Sequence, residues 1–273
     1  AERAQPMRKG PSDAPVQIVE FADFQCPGCG HFATNVSRPI RAAYVDSGLV
    51  EVDGLVNGSH SLDPPFLRDQ IERSRRNLGL ETIDVYCLED PELHLLAKGP
   101  TVFRRLLRAA IETLESAVAQ GTIASYGFAT WSGLFVPYTE KGHLSVAELF
   151  ESVLDVGGAD NHFRALTFPF SVAMGEAMGL PSQFGSGSKP AGVLETLEGT
   201  GIAVLTSTPL VRGRAARNLP DALCAALAPA RGSAQAALQF ARSTPGVTTT
   251  LVGMRSPDHV DHNLALARHP PAS

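Results

Sequence analysis

The stretch Ser61–Glu92, SLDPPFLRDQIERSRRNLGLETIDVYCLEDPE, carries two hydrophobic periods in succession. Asp63-Pro64-Pro65 opens a helix, because proline suits the first helical turn, where its missing N–H is not needed. Leu67, Ile71, Ser74 and Leu78 then recur at spacings of four, three and four, which places them on one helical face. Gly79 stops the helix. The following run, Thr82–Leu88, is short and largely apolar, as expected of a parallel-sheet strand covered on both faces. Glu89-Asp90-Pro91 ends it. Helix, tight turn, strand and polar corner together make the repeating unit of an α/β protein.

The same unit recurs downstream. Val102, Phe103, Leu106, Leu107, Ala110, Ile111, Leu114 and Val118 predict a long amphipathic helix ended by Gly121, followed by a strand over Ile123–Thr130. Ser145-Val146-Ala147-Glu148 forms a capping box for a helix reaching Val156, and Phe163–Phe168 is another strand. Phe184–Pro190, FGSGSKP, reads as a flexible loop before a short helix and the strand Ile202–Thr206. Residues 236–241 are helical, Val247–Val252 is a strand, and Gly253-Met254-Arg255-Ser256-Pro257 leads into a helix containing Asn263. Five strands are therefore expected after residue 53.

These motifs resemble the aldo/keto reductases, which are (β/α)8 barrels. The resemblance rests on RNLGLETIDVY with its Asp-Pro-Glu corner, on IASYGFAT against a strand ending in GVSN, on Ser207-Thr208-Pro209-Leu210 against YSPL, and on GMRSPDHVDHN against GARSPEHVEEN. It runs from about residue 53 to about 267. It implies an oxidoreductase using NADP(H), with NAD left open, on a small carbonyl or enone substrate. Thr130, Thr167 and Ser207 then fall where the family contacts the nicotinamide. Thr208, Leu210, Gly253, Arg255, Ser256 and Asn263 fall on the remaining cofactor contacts. Glu89 stands where the family has its catalytic His. The Tyr and Lys of that chemistry are not found, so carbonyl reduction is expected to be impaired.

The opening has a different character. Residues 1–14 show no period and predict a flexible leader. Pro15–Phe21 reads as a strand, Cys26-Pro27-Gly28-Cys29 as the start of a helix carrying Phe32, Val36, Ile40 and Tyr44, and Leu49–Val52 as a second strand. Two thiols separated by two residues at a helix start can reach each other, and the helix amino end favours the Cys26 thiolate as attacking sulfur, with Cys29 resolving. GPSDAPVQIVEFADFQCPGCGHFA resembles the first strand, active-site turn and helix of DsbA-type proteins of the thioredoxin superfamily. The expected domains are thus a leader (1–14), a thioredoxin-like β-α-β (15–53) and a barrel portion (54–268). The barrel is expected to be incomplete at its amino end, with the β-α-β standing in for its second and third strands. Asp23 would then end a barrel strand, as the family's catalytic Asp does.

Composition bounds the alternatives. At 273 residues, 44% hydrophobic and 19% charged, the chain can bury a sizeable core. A net charge of −5 gives no footprint for nucleic acid or an anionic membrane, and no apolar run reaches the roughly 20 residues that span a bilayer. Four cysteines do not make a disulfide scaffold, and Cys87 and Cys224 are expected in the core. His60, His94, His143 and His162 lack metal-type spacing, so no metal is expected. The readings left open are an impaired reductase, dithiol–disulfide exchange at Cys26 and Cys29, and a barrel that binds nucleotide without turnover. The reductase resemblance implies a cytoplasmic protein and the DsbA resemblance an exported one. Oligomeric state is not legible.

Overall fold

The computed structural model describes residues 55–57, 60–184, 189–254 and 256–272. The leader, the β-α-β opening with Asp23, Cys26 and Cys29, and Arg255 lie outside the described residues. The elements in order are α1 (Pro64–Leu78), β1 (Ile83–Glu89), α2 (Glu92–Lys98), α3 (Pro100–Ala119), β2 (Ile123–Ala129), α4 (Val146–Gly157), β3 (Phe163–Pro169), α5 (Glu176–Gly179), β4 (Gln183–Phe184), β5 (Pro190–Ala191), α6 (Val193–Leu197), β6 (Ala203–Ser207), α7 (Asp221–Ala226), α8 (Gly232–Ser243), β7 (Thr249–Thr250) and α9 (Pro257–Ala267). The chain divides into two compact units: Ala1–Tyr126 with Glu151–Phe163, and Gly127–Phe150 with Arg164–Ser273.

In the first unit, α1 starts on Pro64 and buries Phe66, Leu67 and Ile71. Gly79 terminates it at φ 67°, which lets the Leu80 N–H reach the Arg75 carbonyl at 3.0 Å. β1 lies beside β2. The Ile83 N–H donates to the Thr122 carbonyl at 3.1 Å and the Ser125 hydroxyl to the Asp84 carbonyl at 2.7 Å. β1 is less covered than its apolar sequence predicts: only Ile83 and Leu88 are buried, and Asp84 is exposed. Among the described residues it has a single neighbouring strand. The long helix α3 buries Phe103, Leu107, Ala110, Ile111, Leu114 and Ala117, whereas Val102 is exposed.

This unit also holds a half-buried polar knot. Glu115 accepts from the Tyr126 hydroxyl at 2.8 Å, from the His162 N–H at 2.9 Å, and pairs with His162 Nδ1 at 2.8 Å. Burial pushes the Glu115 carboxyl up, but these hydrogen bonds outweigh it and hold the group below its usual range. Tyr126 is fully buried and its ring lies 6.1 Å from that of Phe163.

The second unit is a parallel arrangement in the order β2-β3-β6-β7. Thr167 pairs with Leu205 and Pro169 with Ser207, while Thr206 pairs with Thr250. β3 is buried at every position but Arg164, as a strand between two neighbours should be. Gly127 is required where it stands, because a Cβ there would lie 2.6 Å from the Ala165 carbonyl oxygen. The strand predicted over 247–252 has regular pairing only at Thr249–Thr250, yet Thr248 and Leu251 still donate to Val204 and Thr206. The loop predicted over Phe184–Pro190 is flanked by a short antiparallel pair, Gln183–Ala191 and Phe184–Pro190. Gln183 anchors it: its side chain accepts from the Val146 N–H at 2.8 Å and donates to the carbonyls of Leu134 and Leu144.

Candidate active site

In the second unit the strand register brings several predicted residues to one edge. Thr130 follows the last residue of β2, and its N–H donates to the Thr167 carbonyl at 2.9 Å. Its buried hydroxyl accepts from the Gly133 N–H at 3.1 Å. One strand further, the Phe170 N–H donates to the Ser207 carbonyl at 3.0 Å. Thr130 and Ser207 therefore stand at the carboxyl ends of β2 and β6, Thr167 lies two residues before the end of β3 between them, and Thr208 follows Ser207 directly. The carboxyl ends of parallel strands are where α/β folds place their chemistry.

Two hydroxyls in this group have no partner. Thr167 Oγ1 and Thr208 Oγ1 are both buried and make no hydrogen bond. By contrast, the neighbouring Thr206 hydroxyl reaches Thr250 Oγ1 at 3.0 Å. Leaving a buried hydroxyl unmade costs about 1–3 kcal/mol, so such groups call for an explanation. The backbone is strained at the same corner. Thr208, Val211 and Arg212 all have positive φ, at 55°, 48° and 55°. For a β-branched residue that conformation is costly and persists only where its surroundings impose it. Leu210 lies within this run, its carbonyl accepting from Ala215.

The last predicted group follows β7. Gly253 is exposed with open space where a Cβ would stand. Ser256 is the N-cap of α9, its hydroxyl oxygen accepting from the His259 N–H at 3.3 Å, with Pro257 at the first helical position. Asn263 is half-buried on α9.

A second cluster, which the sequence does not announce, belongs to the first unit. Glu89, half-buried, ends β1, and Asp90 turns the chain at φ 42°. Helix α2 follows with its polarity reversed: Glu92 and His94 are each 2% exposed while Leu96 is 55% exposed. Neither ring nitrogen of His94 finds a hydrogen bond. Burial lowers its pKa to about 4, helped by the nearby His60 and Lys98 charges, so the ring is neutral. His60 Nε2 lies 3.9 Å from Asp90 Oδ2, an ion-pair distance but too long for a hydrogen bond. The signal in the sequence is ELHLLAK itself, in which the polar residues occupy the turn that packs inward.

Two other histidines have local partners: His143 Nδ1 meets the Val136 carbonyl at 2.9 Å and His162 meets Glu115. Among the described residues no group of three or more His, Cys, Asp or Glu could hold a metal ion. Cys87 and Cys224 are half-buried rather than core, because β1 is thinly covered and α7 buries none of its residues. No helix among the described residues is long and apolar enough to cross a membrane.

Comparison with known proteins finds one kind of relative for the opening and another for most of the chain. A family model described as thioredoxin matches residues 2–53. Over 43 residues the chain is 42% identical to "Probable disulfide bond formation protein D" of Bacillus cereus, which covers 16% of this chain and 20% of that protein. Disulfide bond formation protein D of Bacillus subtilis is 40% identical over 42 residues, 15% of this chain and 19% of that one. The chain thus spans about a fifth of these relatives. Among solved structures, the holo form of an aldo-keto reductase from Bacillus halodurans superposes with a TM-score of 0.51 at 18% identity, covering 78% of this chain and 65% of that one. A thermostable aldo-keto reductase in complex with the inhibitor epalrestat gives 0.52 at 15% identity, covering 77% and 63%. The chain spans less than two thirds of either solved protein. Over most of its length it has the aldo-keto reductase fold, and its opening carries a thioredoxin-type sequence.

Proposed function

We propose that the chain is an NADP(H)-binding oxidoreductase acting on a small carbonyl or enone compound, with weakened carbonyl reduction. The observation that carries this is the pair of buried, unpartnered hydroxyls, Thr167 within β3 and Thr208 just after β6, in a fold shared with aldo-keto reductases. A hydroxyl both donates and accepts, so the two suit a carboxamide, which presents one group of each kind. Open space at Gly253 and the amino end of α9 suit a phosphate, with Arg255 as its counter-charge. The residues present therefore fit the cofactor. When bound, it would supply a hydride to the substrate carbon.

The chain's own part is to hold the nicotinamide through Thr130, Thr167 and Ser207, and the rest of the cofactor through Thr208, Leu210, Gly253, Arg255, Ser256 and Asn263. Glu89 occupies the position of the family's His. With Tyr and Lys not found in the sequence, no acid is assigned to carbonyl reduction, and slow carbonyl turnover follows. The test is quenching of intrinsic fluorescence by NADPH and its loss in Arg255→Glu, followed by aldehyde-dependent NADPH oxidation. An absence of quenching sinks this reading. Quenching without oxidation of NADPH by any aldehyde or enone leaves a nucleotide-binding barrel without turnover.

A second reading is favoured by the 42% identity of the opening to a disulfide bond formation protein. In it, the Cys26 thiolate attacks a substrate disulfide and releases one substrate thiolate. Cys29 then attacks the Cys26 sulfur, releasing the second thiolate and leaving the Cys26–Cys29 disulfide, which an external thiol reduces. Insulin reduction abolished by Cys26→Ser identifies this activity. The first reading implies a cytoplasmic protein and the second an exported one. Both take residues 15–53 and 54–268 as separate segments after the leader.

A further inference from the structure

The seam between α8 and α9 opens into a groove of about 270 Å3 whose charged and titratable lining is Arg231, His262, Arg268 and His269, with no carboxylate among the lining residues. In a chain of net charge −5 this is a local reversal of sign. Among the described residues neither Arg231 nor Arg268 forms an ion pair. A third guanidinium on the same seam is also left without a counter-charge. Arg242 donates to the Gln239 side-chain oxygen at 2.7 Å and to the His269 carbonyl, both neutral acceptors.

Local structure explains only part of this. Arg268 is the C-cap of α9, where the helix dipole favours a cation. Arg231 is the N-cap of α8, where the dipole opposes one, and its side chain makes no capping bond. The groove is also braced. Buried Gln235 accepts from the Arg231 N–H at 2.8 Å and donates to the His262 carbonyl, tying the two helices together under the cations. The seam is thus fixed by neutral contacts while its cations are left unused.

We infer that this groove binds a soluble phosphate-bearing small molecule. Guanidinium groups match phosphate oxygens in fork geometry, and the neighbouring imidazoles of His262 and His269 line the same groove. A volume of about 270 Å3 lies below the range of about 300–1,000 Å3 typical of pockets for drug-sized ligands, so the ligand is a phosphate or diphosphate group rather than a whole dinucleotide. The groove is separate from the turn at Gly253–Ser256: Arg268 lies twelve residues beyond Ser256, about 18 Å along the helix.

The probes are inorganic phosphate and pyrophosphate, added to the full chain at constant ionic strength while thermal unfolding is followed. Pyrophosphate is expected to raise the midpoint saturably by about 2–4 °C, and phosphate by less. Arg231→Gln with Arg268→Gln should abolish the shift while keeping the ligand-free midpoint within about 2 °C and NADPH quenching unchanged. Equal stabilisation in wild type and the double variant, or by potassium chloride at the same ionic strength, would mean an adventitious ion only and overturn the proposal. Loss of pyrophosphate stabilisation in Arg255→Glu with retention in the double variant would place the anion at the α9 turn and overturn it equally. Should the double variant unfold, Arg268→Lys, which keeps the charge but loses the fork, should weaken pyrophosphate at least fivefold; unchanged affinity refutes the site.

Discussion

The corner after β1 and the corner after β6 solve the same geometrical problem with opposite chemistry. Each turns on a non-glycine residue of positive φ, Asp90 at 42° and Thr208 at 55°. Beyond the β1 corner the chain buries ionisable groups, Glu92 and His94, and the structure answers by holding His94 neutral. Around the β6 corner it buries hydroxyls, Thr167 and Thr208, that carry no charge in any case. A buried imidazole makes stability depend on pH, whereas a buried hydroxyl makes it depend on whether something arrives to pair with it. Only the second kind of vacancy suits a neutral amide.

The largest expected effect separates the corners by acid. The folded His94 pKa of about 4 lies below the ordinary 6.5, so the unfolded chain takes up the proton first as pH falls. Stability is therefore full above about pH 6.5, drains between 6.5 and 4, and is flat in this group below that. The loss amounts to about 3 kcal/mol, read by urea denaturation across that window. His94→Leu should remove the slope and leave neutral-pH stability equal or higher, because it deletes two unmade hydrogen bonds. An unchanged slope would show that His94 is not the group responsible. Glu115 acts in a different window: its depressed carboxyl contributes above the usual carboxylate range and is lost only as pH falls below it.

Next in size is a contrast between two threonines on neighbouring strands. Thr206→Val removes a made hydrogen bond and should cost about 1–2 kcal/mol in denaturation. Thr167→Val removes an unmade one and should leave stability within about 0.5 kcal/mol while weakening NADPH about fivefold in a fluorescence titration. If both variants lose the same stability, the Thr167 hydroxyl is not a vacancy. A smaller effect comes from backbone strain. Thr208→Gly should gain about 1 kcal/mol and Asp90→Gly less, since Asp tolerates the left-handed region better than a β-branched residue. Smallest is Asp90→Asn, expected within about 0.5 kcal/mol, because His60 stands 3.9 Å away.

The fold was legible because its strands are bounded by residues with mechanical reasons to be there. Gly79 and Gly121, both at positive φ, end α1 and the turn after α3, so the strands that follow begin where the sequence says. What escaped were elements without a hydrophobic period. Helix α2 is seven residues long with its buried face polar, and Gly99-Pro100 separates it from α3. Helix α7 buries none of its residues, so no apolar stripe marks it. The site was legible only as a set of strand ends. That Thr167 and Thr208 lack partners while Thr206 and Thr130 have them depends on cross-strand register, which no single stretch of sequence contains.

The Glu115 knot ties the last turns of α3 to the middle of β2 and to the residue before β3. It shares no residue with the corners where turnover would occur. A chain fastened there can exchange the residues of those corners and still assemble. That independence predicts that damage to Tyr126 or Glu115 would surface as poor yield of folded protein rather than as altered selectivity.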